Sequence, residues 1–199
     1  MQRRRGAFLE GQLLSDAWSE LCANGYANFS MDGVATRSKT SRPVLYRRWP
    51  NRADLAIAAM RHHIQSNPLP VPDTGSLRGD LVKLLKAFLD RGMAYAITLT
   101  QQMGEFFAET GKSHADLRRE VLSGTESRLN TVLLRGVARG ELDASKLTPR
   151  IMSLPADLLR HEVMMTLRPV AQTVIEEIVD DIFLPLVQTK TAPKGKKAS

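Results

Sequence analysis

With 199 residues and 43% hydrophobic side chains, the chain can bury one large core or two small ones, as a globular protein does. The net charge of +7 sits at the ends: residues 1–65 carry 10 Lys/Arg against 5 Asp/Glu, residues 66–189 carry 14 against 16, and residues 190–199 carry 4 against none, a pattern that suits an N-terminal part meeting phosphate and a body that does not. No apolar run approaches the ~20 residues of a membrane span, no apolar segment follows Arg3-Arg4-Arg5 as in a signal peptide, and the one cysteine, Cys22, cannot form an internal disulfide, so a cytoplasmic chain with no membrane partner is expected.

Residues 1–7 read as a polar, disordered arm whose arginines either track a DNA backbone or solubilise the chain. From Phe8 to Ala23 the apolar residues Leu9, Leu13, Leu14, Ala17, Trp18, Leu21 and Cys22 recur at helical spacing, and Asn24-Gly25 stops the run. Tyr26 and Phe29 cross back over that helix. The stretch Ser30–Pro50 predicts two short helices joined by a tight turn. Ser30 is an N-cap, Val34 and Ala35 face inward, and Ser38-Lys39-Thr40 make the turn. Ser41 caps the second helix, Pro43 stands in its first turn, and Leu45 anchors it. Arg42, Val44, Arg47 and Arg48 are left to point elsewhere, and a short helix with a basic, polar leading half fits a major groove.

Asn51 caps a further helix, Arg52 to about Ser66, with Ala53, Leu55, Ala56, Ala59, Met60 and Ile64 apolar. Arg52 opposes the macrodipole in that first turn, which hints at a phosphate partner. The adjacent His62 and His63 point in different directions and read as surface residues. Asn67–Gly75 is proline-rich and marks a boundary, so residues 1–66 form one domain and 67–189 a second, with 190–199 a basic disordered tail. Helices are predicted over 77–96 and 98–110. A long one runs from a Ser113/Asp116 capping box to about Arg139 and ends at Gly140. Thr148 and Pro149 open another to about Leu167, and the last covers 170–187. No strand signal appears, so the fold class is all-α, of about nine helices.

The stretch Phe29–Pro50 resembles the helix-turn-helix of the tetracycline-repressor (TetR) family of bacterial transcription regulators. The likeness rests on Met31-Asp32-x-Val34-Ala35 and on Ser41-x-x-x-Leu45-Tyr46-x-x-Trp49-Pro50. The turn departs from the family's usual Ala-Gly-Val-Ser: Lys39 stands where glycine would accept a positive φ without steric cost. The resemblance implies an N-terminal three-helix helix-turn-helix domain and a C-terminal helical domain that binds a ligand and dimerises. It implies a ligand-responsive regulator acting as a repressor, which binds a palindromic operator in double-stranded DNA. Arg42, Pro43, Val44 and Arg47 are expected at base edges, and Ser30, Ser41, Tyr46, Arg48 and Arg52 complete the DNA-binding set, Tyr46 and Arg52 on phosphate. Trp49 is expected to pack inward.

The last two helices are apolar on more than one side, which calls for burial on more than one side. Ile151, Leu154, Leu158 and Met165 follow one stripe and Met152, Ala156, Leu159 and Val163 another. Val174, Ile175, Ile178, Val179, Ile182, Phe183 and Leu186 form a wide face on the last helix. A second copy of the chain is the expected cover. Phe88, Met93, Tyr95, Met103, Phe106, Phe107, Leu134, Met152, Leu159 and His161 are candidate linings for a small apolar or aromatic effector. No cofactor and no metal site are expected. The histidines lack HExxH-like spacing, Cys22 has no histidine near it in sequence, and Glu176, Glu177, Asp180 and Asp181 read as a solvated face. A ligand-free architectural DNA binder and, behind it, an all-α enzyme are the competing readings.

Overall fold

The computed structural model describes residues 2–91, 102–122 and 127–188, the first six of these as backbone only. Ten α-helices follow one another among them: α1 (Gln2–Asn24), α2 (Met31–Arg37), α3 (Arg42–Tyr46), α4 (Arg52–Ser66), α5 (Leu77–Asp90), α6 (Gly104–Thr110), α7 (His114–Val121), α8 (Arg128–Ala138), α9 (Pro149–Thr166) and α10 (Gln172–Glu177). A wide π turn, Ile178–Phe183, and a last helical turn, Leu184–Val187, carry α10 onward. Pro185 lies just past the π turn; it lacks the N–H of a regular turn and crowds the carbonyl four residues before it, and widening that turn relieves the crowding. The described residues contain no strand.

The chain divides into two compact units, residues 1–68 with 95–125, and residues 69–94 with 126–199. In the first, α1 packs along α4 and onto α2, α2 packs on α3, and α7 packs on α4. Leu13, Ala17, Leu21, Tyr26, Phe29, Val34, Leu45, Trp49, Leu55, Ala56 and Ala59 share one core there with Met103, Phe106, Leu117 and Val121. Each large side chain so buried contributes about 1.5–3 kcal/mol. A division at residue 67 places α6 and α7 with the helices that follow them, whereas in the compact units they go with α1 to α4. Phe106 meets the Tyr26 ring edge-on at 5.2 Å, a contact between residues 80 positions apart that no local pattern reports.

In the second unit, α5, α8, α9 and the α10 rod surround Leu77, Leu81, Leu84, Leu85, Val132, Leu133, Leu159, Ile175, Ile178, Val179 and Phe183. The proline-rich segment is tied to α8 by arginines: Arg128 donates to the Leu69 carbonyl at 2.7 Å and Arg135 to the Pro72 carbonyl at 3.0 Å. Arg139 reaches the buried Asp80 at 3.0 Å, and Asp80 also accepts from the Thr74 amide at 2.6 Å and hydroxyl at 2.9 Å. Burial works to raise the Asp80 carboxyl, but the Thr74 and Arg139 hydrogen bonds outweigh it and hold the group below the usual carboxylate range.

Three elements differ from expectation. α1 continues back to Gln2, where a disordered arm was expected; Gln and Arg are good helix formers, and they carry the helix through the unfavourable Gly6. The helix predicted from Ser113 to Arg139 is two: α7 ends at Val121, and Ser127 caps α8 by accepting from the Asn130 amide. His63 is no bare surface residue, since its ring stacks on Trp18 at 4.3 Å. The tail 190–199 lies outside the described residues.

Candidate nucleic-acid interface

The α2–α3 pair is set by its caps. The Ser30 hydroxyl accepts from the Gly33 amide at 3.0 Å and starts α2. At its end the Thr40 amide donates to the Ala35 carbonyl at 3.0 Å and the Lys39 amide to the Thr36 carbonyl at 3.2 Å, which is a Schellman closure. That closure requires a left-handed residue, and Lys39 takes it with φ 50°. Ser41 begins α3 with extended backbone, but its hydroxyl makes no capping bond, contrary to expectation. The next residue but one is Pro43, which has no N–H, and the Val44 amide is taken by the Ser41 carbonyl at 3.0 Å. The hydroxyl is left over.

α3 is fastened from beneath. Leu45 is fully buried, Trp49 almost so, and Val44 packs partly on the same core, which leaves less of it for a base edge. Arg42, Pro43, Tyr46, Arg47 and Arg48 are exposed. Half of the Tyr46 surface is open, so it is not a core aromatic. Arg42 pairs with Asp32 of α2, and Arg48 approaches Glu10 of α1 at 3.8 Å. Arg47 has no ion-pair partner among the described residues. Behind the turn, Arg37 donates to the buried Glu20 at 2.8 Å and locks α2 to α1. A Cβ on Gly33 would come within 2.5 Å of the same carboxylate, so glycine admits that close crossing.

Arg52, expected on phosphate, is engaged within the chain. Its guanidinium donates to Glu109 of α6 at 2.9 and 2.8 Å, lies 3.6 Å from Glu105, and covers the Tyr26 ring at 4.6 Å. It also reaches the carbonyls of Tyr26 and Phe29 at 3.4 and 3.3 Å. A guanidinium so engaged has few donors left for DNA. Tyr26 donates its hydroxyl to the same Glu109 at 3.0 Å; burial, then the bond to Glu109, pushes the phenol far above its ordinary range. Glu109 stands 57 positions from Arg52, so the partner was not legible from the sequence.

The proposed effector residues are distributed over both units. Met103, Phe106 and Phe107 pack in or on the core of the first unit. Leu159 lies in the core of the second, with Phe88 and Met152 against it. Leu134 and His161 are exposed, and Met93 and Tyr95 lie outside the described residues. Among the described residues one open hollow is lined by Cys22, Asn24, Gly25, Tyr26 and Gln102 and another by Thr148, Pro149, Arg150 and Ser153. None of the eight described effector residues lines either. Among the described residues no three His, Cys, Asp or Glu side chains gather as metal ligands, and no helix is long and apolar enough to cross a membrane.

Comparison with known proteins bears on both halves. Residues 13–59 match the family model described as bacterial regulatory proteins of the tetR family, and residues 71–182 match that for the tetracyclin repressor-like C-terminal domain. A DNA-binding transcriptional repressor, TetR, of Mycobacteroides abscessus is 30% identical, over 92% of this chain and 96% of its own length. An uncharacterized HTH-type transcriptional regulator of Mycobacterium tuberculosis is 27% identical, over 92% and 89%. Among solved structures, a TetR transcriptional regulator from Agrobacterium tumefaciens superposes with a TM-score of 0.63 at 19% identity, covering 92% of this chain and 95% of that one. A structure described as the flavonoid-responsive regulator FrrA superposes with a TM-score of 0.59 at 20% identity, covering 94% and 100%.

Proposed function

The chain belongs to the TetR family of helix-turn-helix transcription regulators, and from that premise we propose that it is a cytoplasmic homodimeric repressor whose hold on a near-palindromic operator responds to a small apolar or aromatic effector. The observation that carries the DNA reading is the division of labour on α3. Leu45 and Trp49 fasten the helix, and Arg42, Pro43, Tyr46 and Arg47 remain on its open side. Arginine holds guanine bidentately, and the Pro43 ring can touch a thymine methyl. Tyr46, Arg48, Ser30 and the spare Ser41 hydroxyl suit the backbone on either side. Arg52 is left out of this set. Selection of bound duplexes from a random pool is the test. A recovered motif in two half-sites about one helical turn apart supports the reading, and enrichment of no sequence refutes it.

Support for the dimer lies in apolar side chains that the second unit leaves uncovered. Met164, Met165, Leu167, Ile182 and Leu186 stand exposed on or just beyond α9 and along the α10 rod. A second copy of the same surface would bury them. Sedimentation at micromolar concentration should return the dimer mass. For the effector, a panel of planar aromatic compounds, flavonoids among them, read by thermal shift and then by loss of operator binding, tests the responsive half. Linkage requires DNA to weaken the effector by the factor with which the effector weakens DNA.

A further inference from the structure

Lys39 stands in a conformation that its side chain opposes. Among the described residues only two that are not glycine have positive φ, Lys39 and Leu167, both at 50°. The Schellman closure of α2 needs the left-handed backbone there, and glycine supplies it without a Cβ clash. A lysine at this point costs stability relative to glycine. It does not cover the core, because it is exposed. It makes no ion pair among the described residues, and the nearest acid on α2, Asp32, is already taken by Arg42. Two residues on, the Ser41 hydroxyl is uncommitted, because Pro43 has no amide and the Val44 amide goes to the Ser41 carbonyl. The turn thus presents a free ammonium and a spare hydroxyl beside the N-terminus of α3.

We propose that Lys39 is a phosphate anchor, holding the DNA backbone beside the leading end of α3 together with the Ser41 hydroxyl. This rests on the DNA reading of α3 given above and adds a residue to it. A phosphate contact there fixes the depth and register of α3 without reading sequence. The left-handed lysine then exchanges folding stability for grip on DNA, a trade that strained residues at binding surfaces make.

The full-length protein and its selected duplex provide the test. Binding is measured across a salt series for wild type, Lys39→Gly, Lys39→Arg and Ser41→Ala, on the selected duplex and on a scrambled one, with a melting curve for each protein. Lys39→Gly should raise the melting temperature and weaken both duplexes alike. Its salt slope should fall by about 0.9 per phosphate released, about 1.8 for a dimer. Lys39→Arg should keep the wild-type slope, and Ser41→Ala should weaken binding with the slope unchanged, because a hydroxyl releases no counterion. A wild type that selects no duplex overturns the DNA reading and this proposal with it. A wild type that binds, with a slope that Lys39→Gly does not move, overturns this proposal alone. So does a loss confined to the selected duplex, which would make Lys39 a base reader.

Discussion

Arg52 separates the structure from the simpler view that every arginine near a helix-turn-helix meets DNA. Replacing it with Met keeps the aliphatic stem and removes the guanidinium. The ion pair with Glu109 is part-buried, with side-chain exposures of 30% and 37%, so about 1 kcal/mol is the appropriate scale after solvent screening. The cation over the Tyr26 ring adds about 0.5–1 kcal/mol. The long contacts to the Tyr26 and Phe29 carbonyls add about 0.5 kcal/mol together. The expected loss is roughly 2–2.5 kcal/mol, or about 4–10 °C in Tm for a chain of this size. A double-mutant cycle with Glu109→Gln should return a coupling of about 1 kcal/mol. DNA binding should keep its wild-type salt slope at temperatures where both proteins are folded. An unchanged Tm, with a slope lowered by about one per protomer, would refute the clamp and return Arg52 to the phosphate backbone.

Asp80 should act as a pH-dependent lock on the second unit. Its folded pKa is depressed, so its stabilisation is present above the unfolded carboxylate value of ~3.9 and is lost as pH falls through the lower folded value. Asp80→Asn should cost about 2–3 kcal/mol at pH 7 and flatten the acid limb of a stability-against-pH curve, and a curve parallel to wild type below pH 4 would contradict this. Ile178 is buried in the chain's own core, so Ile178→Glu should unfold the second unit, whereas Ile182→Glu, at an exposed site, should leave circular dichroism intact and convert the dimer to monomer by sedimentation. Arg47→Ala should cost roughly 1–3 kcal/mol on the selected duplex and relax base preference at one position, while equal losses on selected and scrambled duplexes would mean that Arg47 reads no base.

What could be read along the chain was set by short-range physics. Helix existence followed from apolar spacing. Starts followed from Ser30, Asn51, Ser113 and Thr148, each of which accepts from an amide three residues on. The strained turn was visible because a Schellman closure wants glycine and residue 39 is lysine. Inward positions Leu45 and Trp49, and outward Arg42 and Arg47, followed from the same spacing. Where a side chain finds its partner was not visible. The Ser41 hydroxyl failed as a cap because Pro43 and the Ser41 carbonyl used up the amides within reach. Arg52 turned inward because Glu109, 57 residues later, comes within 2.8 Å of it. Met103 and Phe106 joined the core around Tyr26 because an apolar spacing states that a face is buried and does not state against what. Caps and periodicity act within one turn of helix and are written locally, whereas an ion pair or a shared core depends on which distant segments the folded chain brings together, and only the tertiary structure supplies that.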